Sequence, residues 1–310
     1  MSAGHESFSA TMEEKAEAKI NLSLKVLSKR PDGYHNLLGL MARLVLGDSL
    51  IWLDESPSED RLDLRLEIGP PFNVEPSDLI GTDNLILKAL KAFRDLTGQP
   101  KEPAAFLLIK RIPVAAGLGG GSTDAAALLR MLASLYPISL KALRSLALKI
   151  GADCPFFLLV NPLAIAEGKG EKLRPFPEKL LPGRYLVLVN PGFQLATSQV
   201  FQQLGLTFDG HSSNKVTKSI APKTTLASLP LLGDNDLLGP ALELRPALAE
   251  VREKLASLDP KPLAFGLSGS GPTFWALYGQ ESETIRACQA LEGLGWWVKP
   301  TCLSTLPVYR

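Results

Sequence analysis

A chain of 310 residues has room for more than one domain, and 45% hydrophobic with 21% charged residues describes a globular protein. The formal net charge of +1 supplies no broad field for nucleic acid or an anionic membrane. Three cysteines, Cys154, Cys288 and Cys302, are too few and too scattered for a disulfide scaffold or a Cys-rich metal site, which points to a reduced, cytoplasmic setting.

The first 18 residues mix Glu13, Glu14 and Glu17 with Lys15 and hold no sustained apolar run, so a signal peptide or membrane span is not expected there. They read as a mobile extension. Residues 20–27 alternate apolar and polar side chains, which predicts a strand with Lys19 at one end. Arg30-Pro31-Asp32-Gly33 is a turn ahead of Tyr34-His35. An apolar stretch over 37–46 stops at Gly47-Asp48, and 49–66 reads as strands around a polar turn at 55–60. Leu85, Ala89, Phe93 and Leu96 share one face of a helix predicted over 84–96.

A strand over 105–109, closed by Ile112-Pro113, leads into the glycine run of AGLGGGSTDAA at 116–126, where Ser122 caps a helix reaching about Leu135. A helix over 140–148, the turn Gly151-Ala152-Asp153-Cys154-Pro155 and a strand over 156–160 follow. The Gly- and Pro-containing segment 168–183 marks a domain boundary. Beyond it come a strand over 185–189, a helix over 197–204, a polar surface excursion or lid over 206–225, and a helix over 241–258. A strand near Ala264, a turn over 267–272, a strand through Tyr278 and a helix over 281–291 complete an α/β alternation. Trp296 and Trp297 are assigned to packing.

Glycine count alone leaves the run at 117–121 open between a phosphate cradle and a structural turn, with a modest balance toward phosphate because a helix amino terminus follows. No Lys-Ser/Thr follows it, so it is not a P-loop, and the Rossmann pattern lacks its acidic partner. Lys19 reads either as a surface charge at a strand start or as a cation for transferred phosphate. Asp153 reads either as a turn-stabilising carboxylate or as a group that orients an alcohol. Tyr34 and Phe201 read as core or as a ring clamp, and His35 as a surface histidine or a directional contact. Gly269, Ser270 and Gly271 form a second close-approach turn, and Gly168, Gly170 and Glu171 another candidate cleft edge. Three histidines offer no His-rich metal site.

In this order, Ala18-Lys19-Ile20-Asn21-Leu22, Arg30-Pro31-Asp32-Gly33-Tyr34-His35, the loop from Pro113, Val114, Ala115 and Ala116 to Ser122, Gly151-Ala152-Asp153 and Gly269-Ser270-Gly271 resemble the GHMP kinase superfamily. The resemblance implies an α/β (α+β) two-domain fold: an amino-terminal nucleotide-binding domain over 1–175 and a ferredoxin-like carboxyl-terminal domain over 176–310 that closes a cleft. It implies ATP with Mg²⁺, the phosphates lying along Pro113, Val114, Ala115, Ala116, Gly117, Leu118, Gly119, Gly120, Gly121, Ser122 and Thr123. Lys19 and Asp153 match the family's catalytic pair. Tyr34 and Phe201 match the rings around a cytosine, His35 matches a base-recognition position, and Asn21 falls beside the substrate.

The branch implied acts on a small-molecule cytidine diphosphate ester of methylerythritol. Mevalonate, homoserine or sugar kinases of the superfamily, and an inactive nucleotide-binding regulator, stand as alternatives. No metal ligand is assigned, although Ser122 is a candidate contributor. Neither nucleic acid nor membrane is expected as a partner, and a monomer or weak homodimer is the expected state. The family's pattern has proline before the Ala-Lys pair, where this chain has Glu17.

Overall fold

The computed structural model describes residues 10–72, 75–81, 83–205 and 232–305; the excursion over 206–225 lies outside them, as do residues 1–9. Strand β1 (Ala10–Lys29) begins ten residues before the predicted one and pairs antiparallel with β2 (His35–Leu53) along its length. Alternation is hidden at the start of β1 because Glu14, on the same face as buried Ala16, pairs inward with the buried Arg130. Gly47 does not end β2. A Cβ there would lie 2.7 Å from the Ala16 carbonyl oxygen and 2.9 Å from Glu17 Cα, so the glycine lets the two strands cross closely.

Strand β3 (Arg61–Leu66) lies parallel to β4 (Ala105–Lys110), which pairs with the second half of β2; β5 (Leu163–Gly168) pairs with its first half and carries β6 (Lys172–Pro175). Helix α1 (Leu85–Thr97) is capped by the Asn84 side chain and ends on Gly98 at φ 72°. Helices α2 (Gly120–Leu135) and α3 (Leu140–Ile150) cover the same face of the sheet. Ala125, Ala126, Leu128, Leu129 and Leu132 of α2 are fully buried there. The strand predicted over 156–160 is instead a 3₁₀ turn, Cys154–Leu158. Pro155 has no amide for a ladder and a φ suited to a helical start, and Phe156 and Phe157 sink into the core beside α2.

Strand β7 (Tyr185–Asn190) opens the second sheet, followed by α4 (Thr197–Gln203), α5 (Leu238–Leu244) and α6 (Leu248–Ala256). The single helix predicted over 241–258 is two, because Pro246 cannot donate to the preceding turn. Strands β8 (Ala264–Leu267) and β9 (Phe274–Tyr278), helix α7 (Glu281–Leu291) and strand β10 (Trp297–Cys302) complete the order. The sheet runs β10-β7-β9-β8, all antiparallel, which is the ferredoxin-like βαββαβ arrangement. Trp297, assigned only to packing, thus also begins an edge strand.

The two sheets share a buried layer. Ala18, Ile20, Leu22, Leu40 and Leu44 from one side meet Leu186, Leu188, Trp275 and Trp297 from the other. That layer aligns β1 with the β8–β9 turn and leaves a cleft above it. Among the described residues no helix is long and apolar enough to cross a membrane.

Candidate active site

The cleft has a volume of about 1050 Å³, at the upper end for small-molecule sites, and its walls come from both halves of the chain. Its floor is the glycine loop. Gly117 and Gly119 have φ of 76° and 72°, a region open to glycine at little cost. A Cβ on Gly117 would fall on the Ser268 carbonyl oxygen, and one on Gly119 would stand 2.9 Å from Lys19 Cγ and 3.0 Å from Phe157 Cζ.

Gly119, not Ser122, is the N-cap of α2, and no side chain caps the first-turn amides. Left-handed entry at Gly119 starts the helix three residues earlier than a serine cap would, because such a cap needs extended backbone. Ser122 therefore sits inside the first turn, hydrogen-bonded to Cys154, whose thiol burial pushes up to about 12. Gly120, Gly121 and Ser122 line the cleft at this bare helix terminus, where backbone N–H groups and the positive dipole end favour an anion.

Lys19 and Asp153 meet beside the loop. Lys19 Nζ lies 3.3 Å from Asp153 Oδ2 and donates to Asn21 Oδ1 at 2.7 Å. The lysine is nearly buried while the aspartate is a third exposed, so the pair sits at the cleft wall with its carboxylate open to a ligand. The backbone N–H of Lys19 donates to Leu118 O at 2.9 Å, tying β1 directly to the loop. Ser268 Oγ bridges the same junction, donating to Gly117 O at 2.8 Å and accepting from Asn21 N.

At the other mouth His35 stacks on Phe201 with ring centroids 4.7 Å apart and planes 22° apart. Burial, with Lys29 adding to it, holds the imidazole below its ordinary range. Tyr34 stands half exposed with Lys169 Nζ 4.5 Å from its ring centroid. Thr197 and Ser270 hydroxyls, 2.9 Å apart, join α4 to the second glycine turn.

Of the residues singled out in the sequence, Pro113, Val114, Ala115, Ala116, Gly269, Ser270 and Gly170 also line the cleft. Leu118 and Thr123 do not: both side chains are buried beneath it. Gly271 also lies off the wall, and its φ of 82° and a 2.8 Å Cβ approach to Leu267 Cδ1 give it a packing role. Gly168 and Glu171 lie at the β5–β6 hairpin bend, where the Glu171 carboxylate accepts from the Lys169 amide and fills the space a Cβ on Gly168 would take, and neither lines the cleft.

Several charged residues escaped the sequence reading. Lys110 Nζ donates to Asp124 Oδ2 at 2.7 Å and also to Asp48, whose other oxygen accepts from the amides of Arg111 and Ile112. All three side chains are buried under the loop. Two carboxylates share one ammonium, so burial first, and Asp48 in addition, drive the Asp124 carboxyl well above the carboxylate range despite Lys110. The available signal was a lysine ending an otherwise apolar strand and an aspartate in an alanine-leucine helix, both costly unless paired. Lys29 and Lys169, at the aromatic mouth, carried no local signal.

The profile of the GHMP kinases N terminal domain matches residues 84–160, which hold the loop, α2 and Asp153. A 4-diphosphocytidyl-2-C-methyl-D-erythritol kinase of Rhodopseudomonas palustris is 38% identical over 94% of this chain and 98% of its own length. The chain belongs to this kinase family. A relative of the same description from Paramagnetospirillum magneticum is 39% identical over 93% of the chain and 97% of its own length. A crystal structure of 4-(cytidine 5'-diphospho)-2C-methyl-D-erythritol kinase superposes with a TM-score of 0.72 and 34% identity, covering 94% of this chain and 99% of that one. Family membership selects among the superfamily branches that the loop and catalytic motifs leave open.

Proposed function

We propose that this chain transfers the γ-phosphoryl group of ATP to the 2-hydroxyl of 4-diphosphocytidyl-2-C-methyl-D-erythritol, yielding ADP and the 2-phosphate for isoprenoid synthesis outside the mevalonate route. The observation that carries the reading is the Lys19–Asp153 pair, 3.3 Å apart, beside an uncapped helix amino terminus in a cleft large enough for two ligands. Asp153 orients the acceptor hydroxyl and takes its proton. Lys19 counters charge as it develops on the transferred group, and Asn21 fixes the ammonium. The amides of Gly119 through Ser122 hold the phosphate chain in line with the acceptor.

Tyr34, His35 and Phe201 receive the cytosine. A neutral His35 at pH 7 both donates and accepts there. Lys29 and Lys169 add positive charge where a diphosphate enters.

Among the described residues no group of three or more His, Cys, Asp or Glu side chains forms a metal cage. The oxygens that line the phosphate end, from Ser122 and Asp153, suit a hard cation that keeps most of its ligands from phosphate and water. Bound Mg²⁺ supplies neutralisation of phosphate charge. We place the enzyme in the cytoplasm as a monomer or weak homodimer, since one chain supplies this whole constellation, and we take 1–175 and 176–310 as its two domains.

Purified protein is tested with Mg-ATP and a panel of acceptor alcohols, following ADP and phosphorylated product. Turnover of the cytidine substrate is expected, with Asp153→Asn retaining ATP affinity while kcat drops by about 10³-fold. Robust phosphorylation of mevalonate, homoserine or a sugar with no turnover of the cytidine compound would overturn the substrate; unchanged turnover in Asp153→Asn would remove Asp153 from the chemistry.

A further inference from the structure

The strand that carries Lys19 is pinned two residues upstream by a buried cluster that none of the steps above uses. Glu17 pairs with Gly47 and Lys19 with Arg43, so two residues of β1 span four of β2. Over that irregularity β2 turns to the carboxyl-terminal segment. Leu44 bridges Leu303, the Leu46 amide donates to Thr301 Oγ1 at 3.1 Å, and Arg43 O accepts from the Ser304 amide at 2.9 Å. Beyond it Lys19 gives its own amide to the glycine loop.

The Glu17 side chain fills the junction. Its Oε1 accepts from Ser304 Oγ at 2.9 Å, and its Oε2 lies 3.6 Å from Arg43 Nε. The side chain is 1% exposed, and among the described residues its one hydrogen bond goes from Nη2 to Val160 O. Burial lowers Arg43 to about 10, against the opposing pull of Glu17. A buried carboxylate and guanidinium with unfilled hydrogen-bonding capacity contribute little net stability but respond strongly to loss of either partner. Packing does not explain their cost, but their position is informative: they join β1, β2 and the carboxyl-terminal segment at the register shift between Glu17 and Lys19, immediately before β1 meets the loop.

We propose that Glu17, held by Arg43 and Ser304, is a positioning residue for Lys19, so that the carboxyl-terminal segment sets where the ammonium stands relative to Asp153. This inference rests on the assignment of Lys19 to phosphoryl transfer. Because Lys19 is assigned to charge that develops in the transition state, misplacement lowers kcat more than it raises KM.

The test is a double-mutant cycle of Glu17→Gln with Lys19→Met in the full chain, scored by kcat, both KM values and thermal melting. Glu17→Gln is expected to lower kcat about tenfold with both KM values within about twofold, and to add no loss to the residual rate of Lys19→Met. A kcat within about twofold of wild type, or an equal loss in both backgrounds, overturns the proposal. Should Glu17→Gln not fold, Ser304→Ala, which removes one hydrogen bond, enters the same cycle with the same criteria and an expected loss of about threefold. Full turnover by Lys19→Met overturns the assignment of Lys19 itself, and the positioning role falls with it.

Discussion

Substituting Gly119 by alanine separates backbone strain from displacement of Lys19, the cation proposed to act on the transferred phosphate. The residue has φ 72°, where a side chain costs about 1–2 kcal/mol. Gly98, at the end of α1, has the same φ of 72°, yet a Cβ there meets nothing within 4 Å. Both variants therefore lose comparable stability from strain, about 1–2 kcal/mol and a few degrees of melting temperature.

Only Gly119→Ala adds a clash, with Cβ 2.9 Å from Lys19 Cγ and 3.0 Å from Phe157 Cζ. Restoring ordinary carbon contact of about 3.5 Å requires roughly 0.6 Å of movement. Phe157 is a rigid ring packed in the core, whereas Lys19 is a flexible chain on the cleft wall, so Lys19 is the side that yields more. A shift of that size at a reacting group reduces kcat by about 10- to 100-fold. Steady-state turnover by coupled ADP release, beside a thermal melt, reads both quantities. Gly98→Ala should keep wild-type kcat. If Gly119→Ala turns over within about twofold of Gly98→Ala, the loop does not set the lysine's position and the steric reasoning fails.

Phe201→Ala removes the ring stacked on His35, worth about 0.5–1.5 kcal/mol beyond area, and should raise KM for the cytidine substrate about tenfold with kcat and KM for ATP unchanged; an unaltered KM would show that the stack takes no part in recognition. Asp60 accepts from two Arg94 nitrogens at 2.6 and 3.0 Å and from the Ala104 amide at 3.0 Å, and the Arg94 hydrogen bonds lead in lowering its carboxyl pKa. A depressed folded pKa contributes stability that is fully present above the unfolded value near about 3.9 and is lost as pH falls through the folded value. Wild type should thus exceed Asp60→Asn by about 1–2 kcal/mol at pH 7, with the gap closing as pH falls below the unfolded value and through the lower folded one. Chemical denaturation across that range checks it, and a gap that persists in acid refutes the assignment.

The glycine loop and the helix terminus behind it were legible because they are local. Consecutive glycines before an apolar helix specify backbone freedom and a helix terminus without reference to the rest of the chain, and so Gly117 through Ser122 were recognised together. The error there, Ser122 as cap, arose because a left-handed Gly119 and an extended serine cap are both compatible with the same letters. Packing against Lys19 and Phe157 decides between them. Gly47 shows the same limit: a turn signal in isolation, a close strand crossing in context.

Sequence alone thus determined most kinds of element, though not the 3₁₀ turn at Cys154–Leu158, together with the glycine loop and, through motif order, the family; each depends on neighbours within a few positions or on a characteristic succession of motifs. Tertiary structure alone decided which charges share a buried site. Lys110 meets Asp48 across 62 positions, and Glu17 meets Ser304 across 287. Neither pairing leaves a periodic trace, because the cost of burying a charge is met by a partner whose distance along the chain no local rule constrains.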